Sequence, residues 1–281
     1  MGILSVQSHV SYGHVGNAAA VFLLQSMGHE VWPVHTVHFS NHPGYPHYRG
    51  SVVPAAALDD LFAGLDANGW LVDCRAVLSG YLGSAANAAA LLTAVATVRK
   101  RQPDALFLCD PVIGDRADGV YVAADLLAIY RNAVVARADV VTPNLFELEM
   151  LVETDLPTVD AVRRAATTLL SRGPQTVIVT SLPAAQGAGW IATLLVTDGH
   201  AWLIEVPRID IEVKGTGDAF AALWLGHRLN GQAPEQALAR AVSGVHHLIC
   251  QCHKTGSKEL AIVTSVGQAI APSLLFEVKK I

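Results

Sequence analysis

The segment Lys214-Gly215-Thr216-Gly217-Asp218 places two glycines and a carboxylate directly ahead of an Ala-rich run, Ala219-Phe220-Ala221-Ala222. Backbone N–H groups at the start of such a helix, unscreened by side chains at Gly215 and Gly217, can converge on an anion. A carboxylate in the first turn faces the same space, which is the geometry for taking the proton of an alcohol as it attacks a bound phosphate. Asp218 is therefore a base candidate. The same residues also read as a tight turn with Asp218 as a helix cap, and the segment alone leaves both readings open. It is not a Walker A loop, and it is not the dinucleotide fingerprint, because Phe220 stands where the third glycine belongs.

Two further groups carry acids. Asp110-Pro111-Val112-Ile113-Gly114-Asp115 follows the apolar run Ala105–Cys109, setting two carboxylates where Mg²⁺, held partly through water, could bridge to phosphates. Thr142-Pro143-Asn144-Leu145-Phe146-Glu147 has the spacing of a capping box, with Asn144 as cap and Glu147 reaching back, and structure alone would account for it.

These groups need a scaffold that ends several strands side by side. Short β-type runs at Gly2 to Val6, Val31 to His38, Ala76 to Ser79, Leu106 to Cys109, Val140 to Thr142 and Val177 to Thr180 alternate with helical stretches such as His14 to Met27 and Leu58 to Asp66. That alternation predicts a mainly parallel sheet with helices on both faces. Ligands then bind beyond the carboxyl ends of the strands, where Ser8, Gly80, Asp110, Asn144 and Ser181 fall. Asp198-Gly199 between two strand-like runs predicts a hairpin, so part of the sheet is expected to be antiparallel. Two Ala-rich helices follow, Asp218 to Leu229 and Pro234 to Cys250. The Pro/Gly-rich stretch Asn41 to Gly50 reads as a lid loop.

Composition sets the remaining bounds. With 281 residues, 52% hydrophobic and 15% charged, the chain favours one domain, 1–281, over two small ones. A net charge of -5 without a basic stripe argues against nucleic acid. The apolar runs are too short to span a bilayer, and the N-terminus reads as a strand, so a cytoplasmic address is expected. Cys74, Cys109, Cys250 and Cys252 read as buried thiols. In Cys250-Gln251-Cys252-His253 the two cysteines are two apart and face different ways on a helix, so a metal site is not expected. His9, His14, His35, His38, His42 and His47 match no metal spacing.

The acid pair, the Asn-x-x-Glu and the Gly-x-Gly-Asp, in that order and each at a strand-to-helix junction, resemble the ribokinase superfamily. The blocks Ser5-Val6-Gln7-Ser8-His9-Val10, Tyr12-Gly13-His14-Val15-Gly16-Asn17, Phe39-Ser40-Asn41-His42, Leu78-Ser79-Gly80-Tyr81 and Cys109-Asp110-Pro111-Val112 narrow the resemblance to the pyridoxal kinases, over essentially the whole chain. The resemblance implies a three-layer α/β/α sandwich and transfer of the γ-phosphoryl of ATP to the 5′-hydroxymethyl of pyridoxal. It implies that Ser8 contacts the vitamin ring, that Val15, Phe39 and Tyr81 wall its pocket, and that Pro43 and Gly44 lie over it. It puts Asp110 and Glu147 near Mg²⁺ and the phosphates, and Asp115, Thr142, Thr180, Ser181 and Thr216 on the ATP side. Asp218 takes the base role, aided by the N–H groups of Gly215 and Gly217. A homodimer and activation by K⁺ are implied as well.

Pro43-Gly44 departs from the family, which commonly has Thr followed by Gln or Gly. A ring-contacting hydroxyl is missing there, and proline fixes φ, so either looser hold on the substrate or a different vitamer preference is expected. His38 stands where the family often has Gln. A hydroxymethylpyrimidine kinase would share the acids but lack the Phe-Ser-Asn-His block. A vitamin-binding protein with little turnover is the remaining alternative, and the intact Asp218 argues against it. At a helix start the dipole favours the charged carboxylate, so Asp218 is expected to ionise easily and to be only modestly basic.

Overall fold

Short runs rich in Val and Ile, such as Ile3–Val6 and Val177–Val179, suit strands buried on both faces. In the computed structural model, which describes residues 2–281, they form the middle of a ten-stranded sheet. Its first strands are β1 (Gly2–Val10), β2 (Glu30–Phe39), β3 (Gly50–Val52), β4 (Cys74–Ser79) and β5 (Leu106–Cys109). After the small ribbon of β6 (Gly114–Asp115) and β7 (Gly119–Val120) come β8 (Val140–Val141), β9 (Thr176–Pro183), β10 (Trp190–Thr197), β11 (His200–Pro207) and β12 (Val278–Lys280). The helices are α1 (Asn17–Ser26), α2 (Ala55–Ala67), α3 (Ala85–Arg101), α4 (Ala124–Ile129), α5 (Val135–Arg137), α6 (Leu145–Val152), α7 (Val159–Leu170), α8 (Thr216–Leu229), α9 (Pro234–Thr255) and α10 (Ile262–Ile270).

The sheet order is β12-β11-β10-β9-β8-β5-β4-β1-β2-β3. The six strands from β9 to β2 are parallel, while β3 at one edge and β10, β11 and β12 at the other are antiparallel. Alternate residues divide between two cores. Leu4, Val6, Val77 and Phe107 pack with α2, α3, α6 and α7, whereas Ile3, Ala76, Leu78 and Leu108 pack with α1, α8, α9 and α10. That is the expected three-layer sandwich. Because β2 pairs on one side of β1 and β4 on the other, the chain reverses direction across the sheet between β1 and β4. Such a reversal opens a crevice at the carboxyl ends of the strands.

Several boundaries differ from expectation. β1 continues to Val10, so Ser8 lies within a strand rather than after it. α1 starts at Asn17, because Gly13 (φ 99°) and Gly16 (φ 54°) hold the preceding turn outside the helical region. β9 likewise runs to Pro183 and includes Thr180 and Ser181. The lid ends a residue early, since Gly50 already pairs with Phe39 in β3. α9 continues to Thr255 before Gly256 (φ 66°) closes it. The hairpin at Asp198-Gly199 joins β10 to β11 as expected. No helix among the described residues is long and apolar enough to cross a membrane.

Candidate active site

The loop after β1 and the start of α8 meet at two glycines. Gly215 caps α8 in the left-handed region (φ 88°) with no side-chain hydrogen bond, and the His14 carbonyl lies where a Cβ on Gly215 would be. Gly16 lies against the Ser8 carbonyl and hydroxyl with the same consequence. The first-turn N–H groups of α8 thus have no helical partner and no side-chain cap, leaving a bare anion site. Asp218 sits in that turn, and its carboxylate faces the backbone N–H groups of Gly16 and of Asp218 itself. Those donors favour the charged form, yet burial outweighs them and pushes the carboxyl up to about 6. The expected weakly basic carboxylate is corrected here: desolvation, which the helix-start argument does not contain, decides the sign.

Asp110 follows β5, is 7% exposed, and accepts the Thr142 hydroxyl at 2.9 Å. Its other carboxylate oxygen faces Gly217, 3.6 Å from where a Cβ would stand. Burial, with the Asp218 charge added, pushes Asp110 up to about 7. Glu147 completes the capping box of α6, accepting the Asn144 N–H at 2.9 Å while Asn144 accepts the Glu147 N–H at 2.9 Å. Its second oxygen accepts the Ile113 N–H at 2.9 Å and the Gly114 N–H at 3.4 Å. Burial and the neighbouring Asp110 charge hold Glu147 well above the usual carboxylate range. Asp110 and Glu147 are buried and Asp218 is half-buried, none with an ion-pair partner, and since no three His, Cys, Asp or Glu side chains among the described residues cluster to hold a metal by themselves, these acids fit a divalent cation that arrives with phosphates as further ligands. Asp110 has a free oxygen to offer, whereas both Glu147 oxygens already accept backbone donors and would act through water.

The expected ATP-side residues divide. Thr142 is held on Asp110, and Thr180 donates its N–H to the Pro143 carbonyl at 3.0 Å, beside Asn144. Thr216 opens α8. Asp115 accepts the Ala117 and Asp118 N–H groups and the Tyr121 hydroxyl, and lies 3.5 Å from Lys214. Ser181 is exposed at φ 62°, apart from this group, in a conformation uncommon for a residue with a Cβ.

Of the residues expected on the acceptor side, Ser8 lies against Gly16 and Val15 against Gly215. Phe39 packs edge-on against Tyr48 at 5.4 Å, and the half-buried Tyr81 lies near Tyr48 too. The loop expected to act as a lid is tied at its base, where Ser40 donates its N–H to the Arg49 carbonyl and accepts the Arg49 N–H on its hydroxyl. Pro43 is exposed, and Gly44 donates its N–H to His42 Nδ1 at 3.0 Å.

Sequence reasoning passed over four residues that the fold brings to this site. Gly16 turns its N–H toward the Asp218 carboxylate, and Lys214 pairs with Asp118 at 2.9 Å and Glu212 at 3.0 Å. Asn17 accepts the Ser5 hydroxyl and donates to the Val34 carbonyl, tying α1 to β1 and β2. Glu259, 245 residues away in sequence, accepts the His14 N–H. Lys214 has a local signal in its position ahead of Gly215, Gly16 and Asn17 lie in the Tyr12–Asn17 block without a role of their own, and Glu259 has no signal. An irregularity in the pairing of β1 with β2, between Gln7 and His9, brings His9, His35 and His38 together, with His9 and His35 stacked at 4.4 Å. Cys250 faces His246, whereas Cys252 faces the Glu259 carbonyl.

Comparison with known proteins bears on this geometry. A family model described as phosphomethylpyrimidine kinase matches residues 63–262. The chain is 44% identical to the pyridoxal kinase PdxY of Rubrobacter xylanophilus, covering 100% of this chain and 98% of the relative. Identity is also 44% to the pyridoxal kinase PdxY of Deinococcus radiodurans, over 99% of this chain and 96% of that one. Among solved structures, the pyridoxal kinase from Leishmania donovani in complex with ADP and pyridoxamine superposes with a TM-score of 0.94 at 30% identity, over 100% of this chain and 99% of the other.

Proposed function

Because the chain belongs to the pyridoxal kinases, within the wider phosphomethylpyrimidine kinase family, we propose that it transfers the γ-phosphoryl group of ATP to the 5′-hydroxymethyl oxygen of pyridoxal. Pyridoxine and pyridoxamine are the related acceptors, and the product from pyridoxal is pyridoxal 5′-phosphate, as in vitamin B6 salvage. The observation that carries this reading is the Asp218 carboxylate, facing the Gly16 N–H at the open start of α8, beside the crevice between β1 and β4.

In the proposed step the acceptor oxygen bonds to the γ-phosphorus as the bond from that phosphorus to the β-phosphate oxygen breaks, and ADP leaves. Asp218 takes the hydroxyl proton, and the N–H groups at Gly215 to Asp218 stabilise charge on the transferring phosphoryl. Ser8 would orient the ring, with Val15, Phe39 and Tyr81 as pocket wall and Pro43 and Gly44 on the lid that excludes water. Thr142, Thr180, Ser181, Thr216 and Asp115 would border the nucleotide. Mg²⁺, held by Asp110 and through water by Glu147, would neutralise phosphate charge. K⁺ activation, a homodimer and a single catalytic unit over 1–281 complete the proposal. The supply of ATP and four free cysteines support a cytoplasmic location.

The test is a steady-state assay with Mg²⁺-ATP against pyridoxal, pyridoxine, pyridoxamine and hydroxymethylaminopyrimidine. Phosphorylation of the vitamers supports the reading. Turnover of the pyrimidine alone transfers the chain to the other branch of the family, and product from none of the four sinks the kinase assignment.

A further inference from the structure

The turn that holds the base is itself held from the far end of the chain. α9 follows α8 after a short turn and runs back along it. With 22 residues against 14, at about 1.5 Å per residue it overshoots the start of α8 by about 12 Å. The chain then turns at Gly256, and Glu259 is fixed there through its backbone. Its N–H bonds to the Ser257 hydroxyl at 3.1 Å, and its carbonyl accepts the Ser257 hydroxyl at 2.8 Å and the Cys252 thiol at 3.3 Å. Glu259 is thus presented on a rigid support.

Its two carboxylate oxygens serve different loops. One accepts the Tyr45 hydroxyl of the lid at 2.6 Å, and the other accepts the His14 N–H at 3.1 Å. Gly13 leaves the room for it, since a Cβ there would overlap that second oxygen. His14 in turn lays its carbonyl against Gly215 at the start of α8, and two residues on, the Gly16 N–H faces Asp218. One carboxylate therefore touches both the lid and the loop that shapes the phosphate cradle and aims the base.

We infer that Glu259 is a positioning residue that fastens the lid through Tyr45 while holding the His14–Gly16 turn in register with Gly215 and Asp218. The lid contact and the base alignment share one support. A charged acceptor makes the Tyr45 bond strong, and the same hydrogen bond, with burial added, pushes the Tyr45 hydroxyl up to about 12, so it remains a donor at physiological pH. His42, on the same loop, lies near Glu259, Lys214, Asp115 and Asp118, which puts a second lid residue over the cradle.

This inference rests on the phosphotransfer reading, and its test separates the two. The variants are Tyr45→Phe, Glu259→Ala and Glu259→Gln, each first shown by circular dichroism to be folded. Two readouts follow: steady-state kinetics, and the rate of tryptic cleavage after the exposed Arg49, followed by mass spectrometry. Tyr45→Phe should raise the KM for pyridoxal about tenfold and leave the KM for ATP within about twofold. Glu259→Ala should add a loss in kcat of about tenfold or more, because the base turn is released as well. Glu259→Gln keeps an acceptor oxygen for one of the two donors and should fall between wild type and Glu259→Ala. Cleavage after Arg49 should be faster in all three, and the Tyr45→Phe/Glu259→Ala double variant should have no higher a pyridoxal KM than Glu259→Ala alone. If the wild type turns over pyridoxal but both Tyr45→Phe and Glu259→Ala keep its pyridoxal KM and its cleavage rate, the latch is overturned. If the wild type phosphorylates no vitamer, the kinase reading fails, and unchanged cleavage after Arg49 would still overturn the latch by itself.

Discussion

The backbone N–H of Gly16, in the turn after β1, faces the carboxylate of Asp218 at the start of α8. It joins residues 202 positions apart (218 less 16) and aims the proposed base from outside its own helix. A helix-start carboxylate alone would be solvated and weakly basic. The packing of this turn over it both orients the group and raises its proton affinity.

Replacing Asp218 by Asn keeps the shape and the Gly16 contact to a carbonyl oxygen but removes the proton acceptor. The expected outcome is a fall in kcat of about 10²- to 10⁴-fold with the KM for ATP changed by less than about twofold. Retention of most of the wild-type kcat would remove Asp218 from the base role.

The pH profile should carry the same signature. A base works only when deprotonated, and Asp218 is pushed up to about 6. The acid limb of kcat/KM for pyridoxal should therefore bend near pH 6, falling about tenfold per unit below it, rather than near the ordinary carboxylate value of about 4. A profile flat down to pH 5 contradicts the assignment.

Asp110 makes a stability prediction with the opposite sign to a salt-bridged acid. Its folded pKa is pushed up to about 7, above the unfolded value of about 3.9, so the folded state binds the proton more tightly. Its contribution is favourable below the unfolded value and is lost as pH rises through about 7. Asp110→Asn should therefore melt higher than wild type at pH 8 without metal or nucleotide, by roughly 2–4 °C for each kcal/mol recovered, and the difference should shrink toward pH 5. Activity should be lost in the same variant. Equal melting at pH 8 would show that Asp110 is well solvated.

Lys214 stands among Asp115, Asp118 and Glu212, directly ahead of the cradle. Lys214→Ala leaves those carboxylates unneutralised beside the position proposed for the triphosphate. We expect the KM for ATP to rise about fivefold or more, with the KM for pyridoxal within about twofold and the effect weakening as salt is added. A change confined to pyridoxal would place Lys214 on the acceptor side.

Much of this site was legible in residue order alone. Strand-to-helix alternation predicts the layered sheet, because period and composition are local properties. The Asn144–Glu147 cap was readable for the same reason, and the Gly215–Asp218 turn could be found, though not decided, since its glycines also suit a plain turn. What lay outside local reach were relations between distant segments. Gly16 lies in the Tyr12–Asn17 block but nothing local links it to Asp218, Glu259 carries no motif, and the short edge strands β3 and β12 are specified by their neighbours more than by their own three residues each.

By itself, then, the sequence determined the layered fold, the carboxylates at the ends of β5 and the start of α8, and the resemblance to the pyridoxal kinases. Those features follow from periodicity, helix-start chemistry and motif order. Only the tertiary structure decided how basic Asp218 is and what holds it. The desolvation of Asp218, the approach of the Gly16 N–H and the hold of the Glu259 carboxylate on the His14 N–H depend on which surfaces meet when β1, α8 and the end of α9 converge, and no spacing along the chain encodes that meeting.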